Sequence, residues 1–119
     1  MAAKTISPQE AQRMVANGAV LVDVRQPHEI EREKIEGAIA APLSTLKPAD
    51  LEAARGRQAI FFCHSGARTR MLAGQLEGKA SGICEPYLLG GGIVAWRRAG
   101  LPTLAAPRPP GLLARLFGK

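Results

Sequence analysis

The sequence has 119 residues, 46% of them apolar and 22% charged, enough for one globular domain with one core of ordinary size and too few for a second full domain. No apolar run approaches the ~20 residues of a membrane-spanning helix, and the opening MAAKTISPQEAQ lacks the apolar core of a secretory signal, so the expected setting is the cytoplasm, where thiols stay reduced. The net charge of +6 is uneven: Arg108, Arg115 and Lys119 lie past residue 103, where there is no acid, which leaves +3 on the body and, without basic runs interleaved with aromatics, favours small anions over nucleic acid as partners.

In chain order, Ser7 to Gly18 predicts a helix with both ends written in. Ser7 caps, Pro8 suits the first turn, Glu10 completes a capping box, Ala11, Met14 and Val15 form one apolar face, and Gly18 stops it. Ala19 to Val24 is short, rich in valine and almost wholly apolar, the pattern of a strand covered on both faces. The charged run RQPHEIEREKIEGA predicts a short surface helix and turn, followed by a brief strand over Ile39 to Pro42 and a further short helix that Gly56 closes. Gln58 to Cys63 predicts a second buried strand. Ala67 to Gly78 predicts one helix, with Met71, Leu72, Ala73 and Leu76 on its apolar face. ICEPYLLGGG supplies another strand, and GIVAWRRAG a last helix around Trp96. Strands alternating with helices at this spacing point to an α/β fold, a mostly parallel central sheet flanked by helices.

Two cysteines, Cys63 and Cys84, cannot build a secreted-type disulfide framework, and with only His28 and His64 no metal-binding spacing is present, so neither metal nor organic cofactor is expected. Cys63 stands where the second buried strand ends, and ligands of open parallel sheets sit at the carboxyl ends of strands. CHSGAR then runs into a helix start, which turns unpaired N–H groups and the helix dipole toward the sulfur. Gly66 lets the backbone curl into a nest of donors, and Arg68 adds positive charge. These influences favour thiolate over thiol. Such settings depress cysteine pKa from ~8.5 to between about 3.5 and 7.5, and two units correspond to about 2.7 kcal/mol. The loop therefore combines a nucleophile with a cradle for the anionic end of a small electrophile.

LVDVR (21–25), IEGAIAAPL (35–43), CHSGAR (63–68) and GGIVAW with GLP (91–102) stand in the order and spacing of the rhodanese-like family, and the sequence resembles a single-domain member over residues 5–103. The resemblance implies a rhodanese-like fold. It also implies a thiosulfate sulfurtransferase in which Cys63 takes the outer sulfur of an anionic donor as a persulfide and passes it to cyanide, a thiol or a protein acceptor. By the same likeness His64, Ser65, Gly66, Ala67 and Arg68 bind substrate, Asp23, Arg25 and Thr69 support the loop, and Trp96 packs beneath the last glycine turn. The His64 ring can assist the incoming acceptor by proton transfer. Dual-specificity phosphatases of the same fold carry five residues between cysteine and arginine; here there are four, with Thr69 where the longer spacing would need arginine. That ranks a phosphatase or arsenate reductase below a sulfurtransferase, with a regulatory or sulfur-carrying binding module as the other alternative. The chain departs from the family in the stretch that usually reads glycine, histidine, isoleucine and here reads Glu33, Lys34, Ile35, so a changed surface is expected there.

Cys84 reads as a small buried hydrophobe, Trp96 as core, and Gly91 and Gly92 as residues of backbone geometry. Residues 104–119 read as a proline-rich spacer and a short basic amphipathic tail; residues 111–119 offer a peripheral contact with a membrane or partner.

Overall fold

The computed structural model describes residues 3–106, so the tail expected to make a peripheral contact lies outside the described residues. Strands β1 (Lys4–Ile6), β2 (Val20–Asp23), β4 (Ile39–Ala40), β5 (Gln58–Phe62) and β6 (Glu85–Leu89) form one sheet in the order β1-β6-β5-β2-β4, with every pairing parallel. Helices α1 (Pro8–Ala16) and α5 (Gly92–Arg98) cover one face; α4 (Ala73–Ala80) and the 3-10 turns Leu43–Thr45 and Pro48–Ala54 cover the other. This is the expected α/β rhodanese-like architecture.

The period of two along each strand divides the core between the two faces. In β5, Ala59, Phe61 and the following Cys63 join Val22, Val24, Leu51, Leu76 and Leu88 on one side, while Ile60 and Phe62 join Leu21, Leu89, Ile93 and Trp96 on the other. Residues 59–63 are 0–1% exposed. Burying each of the larger side chains stabilises the fold by roughly 1.5–3 kcal/mol, which makes β5 a firm platform for the residue that follows it.

The register places the site. After β2 the chain crosses to β4 on one side, then returns to β5 on the other, so the carboxyl ends of β2 and β5 form the point where strand order reverses. The Val24 N–H donates to the Phe62 carbonyl at 3.0 Å and stitches these two ends together.

Several local expectations change. Residues 67–78 do not form one helix: α3 (Ala67–Met71) ends at Leu72, whose φ of −109° breaks the run before α4 begins. Met71 is therefore 80% exposed, not on a buried face. The helix expected before Gly56 is a 3-10 turn over Pro48–Ala54. At α1, Ser7 Oγ accepts the Glu10 N–H at 3.1 Å, half of the expected box. The charged run yields α2 (Pro27–Arg32) and then β3 (Glu33–Lys34), which pairs antiparallel with β7 (Leu104–Ala105), two residues past the 103 boundary.

Candidate active site

Cys63 follows β5 directly, and the four-residue turn to α3 closes through Gly66 in the left-handed region at φ +93°. The Gly66 N–H donates to Cys63 Sγ at 3.1 Å, and the Thr69 hydroxyl lies 3.9 Å from the same sulfur while donating to the Gly66 carbonyl at 3.2 Å. Burial pushes the Cys63 thiol up, but the amides of Thr69, Gly66 and Arg68 and the Thr69 hydroxyl together outweigh it and hold the pKa below the usual thiol range. The charge is stabilised mainly by main-chain dipoles. Ala67 opens α3, whereas His64 and Ser65 are exposed at the rim of the turn.

A second layer fixes the loop from behind. The first turn of α5 donates N–H groups to the loop's carbonyls, Ile93 to Cys63 at 3.0 Å and Val94 to His64 at 3.1 Å. Contact this close requires glycine at 92. A Cβ built there would lie 2.4 Å from the His64 oxygen and 2.5 Å from the Cys63 oxygen, with φ at +61°.

Arg68 stands at the end of the loop, near enough to Cys63 for its charge to feel the thiolate. Its guanidinium forms two parallel bonds with Glu29, Nη1 to Oε1 at 2.9 Å and Nη2 to Oε2 at 2.8 Å, which tie it to α2. Those bonds to Arg68 hold the Glu29 carboxyl down at about 2, with the Gln26 N–H at 2.9 Å adding to the effect against the cost of burial. Glu29 lies 39 positions from its partner, and its capping bond to Gln26 was the only local cue in the sequence.

Asp23 and Arg25 form a buried pair at the end of β2, at 2% and 3% side-chain exposure. Asp23 Oδ2 accepts Nη2 at 2.7 Å, and Oδ1 accepts both Nε at 2.9 Å and the Arg25 N–H at 3.1 Å. The same guanidinium donates to the Glu33 carbonyl at 2.6 Å and lies 5.9 Å over the Phe62 ring. Asp23→Ala strands a buried guanidinium and is expected to cost about 3–5 kcal/mol, read as a lower urea midpoint.

Glu33, at the family departure, is a tie point: its carboxylate accepts Arg97 Nη1 at 2.5 Å and the Thr103 hydroxyl at 2.7 Å. Trp96 belongs to the opposite face of the sheet from Cys63, where its Nε1 donates to the Pro102 carbonyl at 2.9 Å. It anchors the end of α5 to the segment that follows. Cys84 packs half-buried just before β6, at the other end of the sheet, and burial pushes its thiol up.

A parallel sheet that presents a thiolate within a ring of amides at its switch point defines an α/β thiolate-loop domain. A family model described as Rhodanese-like domain matches residues 7–99, and the chain belongs to that family. It is 38% identical over 107 residues to the uncharacterized protein slr1261 of Synechocystis, covering 89% of this chain and 59% of that protein, so the chain spans well under two thirds of that relative. It is 35% identical over 94 residues to the thiosulfate sulfurtransferase GlpE of Ectopseudomonas mendocina, covering 79% and 84% of the two chains. A solved thiosulfate sulfurtransferase from Pseudomonas aeruginosa superposes with a TM-score of 0.75 at 26% identity, covering 87% of this chain and 20% of that one.

Proposed function

We propose that this protein is a sulfurtransferase that carries sulfane sulfur on Cys63 from a small anionic donor, thiosulfate or a close analogue, to cyanide or a thiol acceptor, including a thiol on a protein. The observation that supports this most directly is the Gly66 N–H aimed at Cys63 Sγ from 3.1 Å, in a turn whose other amides reinforce the same thiolate. At 1% exposure the residue is shielded from bulk water, and a slender terminal sulfur is the kind of electrophile that can be brought to it.

In the first half-reaction the Cys63 thiolate attacks the outer sulfur of thiosulfate. A sulfur–sulfur bond forms, the donor's own sulfur–sulfur bond breaks, and sulfite leaves with the electron pair. Cys63 then carries a persulfide anion, which the loop amides stabilise as they did the thiolate. In the second, cyanide or a thiolate attacks that outer sulfur, the cysteine regains its electron pair, and thiocyanate or a new persulfide departs. His64 and Ser65 stand at the rim where the acceptor arrives, while Thr69, Asp23 and Arg25 keep the turn in place.

Thiosulfate and cyanide are expected to yield thiocyanate, and thiosulfate alone a persulfide adduct of about 32 Da on Cys63. A wild-type protein that gives neither, or that hydrolyses an aryl phosphate faster than it uses thiosulfate, overturns the reading.

A further inference from the structure

Beside the loop, Arg25, Glu29, Arg32, Glu33 and His64 line a cavity of about 200 Å³. Three of its charges already have partners: Arg25 is paired with Asp23, Glu29 with Arg68, and the Glu33 carboxylate with Arg97 and Thr103. These ion pairs cancel. Arg32 forms no side-chain ion pair among the described residues, so one uncompensated guanidinium sets the sign of the cavity. Its own carboxylate neighbour Glu31 lines a different cavity, with Lys34 and Leu104.

The Arg32 main chain is held. Its carbonyl accepts the Ala106 N–H at 2.8 Å, and the next residue, Glu33, is paired with Ala105 in the β3–β7 ribbon and bonded through its own carbonyl to Arg25. The cation thus extends from a pinned backbone into a cavity shared with His64, the residue next to the nucleophile. Arg68, the cation that the sequence offers for this task, is already paired with Glu29.

We infer that Arg32, together with His64, is the outer anion site of the donor: it meets the oxyanion end of a small dianion with a terminal sulfane sulfur while that sulfur is delivered to Cys63. The inference rests on the sulfurtransferase reading and adds to it a positioning residue for the anionic donor. A cavity of about 200 Å³ has room for a thiosulfate-sized ion.

The test compares two donors, thiosulfate as the dianion and a dialkyl trisulfide as a neutral sulfane donor, each with cyanide as acceptor. Arg32→Ala is expected to raise KM for thiosulfate by about fivefold, the upper range for a solvent-exposed charge contact, with kcat and the trisulfide kinetics little changed. Arg32→Lys restores most of the thiosulfate KM. Arg57→Ala, which removes the same charge at the far end of β5, leaves both donors unaffected. In the wild type, salt raises KM for thiosulfate and not for the trisulfide, a measurement that needs no folded variant. An active wild type whose thiosulfate KM ignores both Arg32→Ala and salt, or a variant that weakens both donors equally, overturns the inference and leaves the transferase reading standing. A wild type that takes sulfur from neither donor overturns that reading instead.

Discussion

Cys63→Ser is expected to lower sulfur transfer by at least about a thousandfold while the thermal midpoint hardly moves. The serine hydroxyl can accept the Gly66 N–H in place of the sulfur, so the loop keeps its main internal bond. The chemistry has no such substitute. Amides that bring a thiol below its usual range cannot ionise an alcohol at neutral pH, and an oxygen nucleophile forms no persulfide. Cys84→Ser is the matched control, because that sulfur lies at the opposite end of the sheet with its thiol pushed up by burial. Thiocyanate formation and intact mass after thiosulfate treatment separate the variants. The wild-type pH profile supplies the sign. With the Cys63 thiol held low, transfer keeps its plateau to lower pH than an ordinary thiol would allow and falls as pH drops through the depressed value.

The sequence makes this nucleophile visible because the features that mark it are local. A buried strand, a cysteine at its end, a glycine able to take positive φ and a following helix all lie within Gln58 to Met71. The same locality explains Asp23 and Arg25, whose pairing spans two positions. What stays hidden depends on distant partners. Lys4–Ile6 has only three residues and becomes a strand because Tyr87 to Leu89 lie alongside it. Glu33–Lys34 and Leu104–Ala105 carry no strand pattern and are made a ribbon by each other, some 70 positions apart. The Arg68–Glu29 bond joins residues 39 positions apart, and no local pattern announces that the arginine beside the cysteine also has a carboxylate partner on α2. Periodicity misleads at Leu72 for a related reason. Apolar spacing continues through residues 67–78, but the backbone must turn there for Leu76 and Ala80 to reach the core behind Phe61.

Gly92→Ala is expected to damage both stability and catalysis, and the two losses have different sources. At φ +61° any side chain is strained, which costs on the order of 1–3 kcal/mol. A Cβ at this position also falls 2.4–2.6 Å from three main-chain atoms, the oxygens of His64 and Cys63 and the His64 carbonyl carbon. Backbone cannot rotate away as a flexible side chain can, so α5 and the cysteine loop must separate. Separation breaks the Ile93 and Val94 bonds that hold the loop carbonyls, and with them the aim of the loop amides at the sulfur. A displacement near 1 Å at a reacting centre can lower the rate about a hundredfold. Gly18→Ala isolates the strain contribution, since Gly18 also has positive φ, at +105°, yet a Cβ there meets nothing within 4 Å. Gly18→Ala should lower the urea midpoint modestly and leave thiocyanate formation intact, whereas Gly92→Ala should lose activity well beyond its unfolded fraction and shift the Cys63 pH profile back toward that of an ordinary thiol. Equal activity in the two folded variants would mean that the close approach of α5 does not hold the loop in its working geometry.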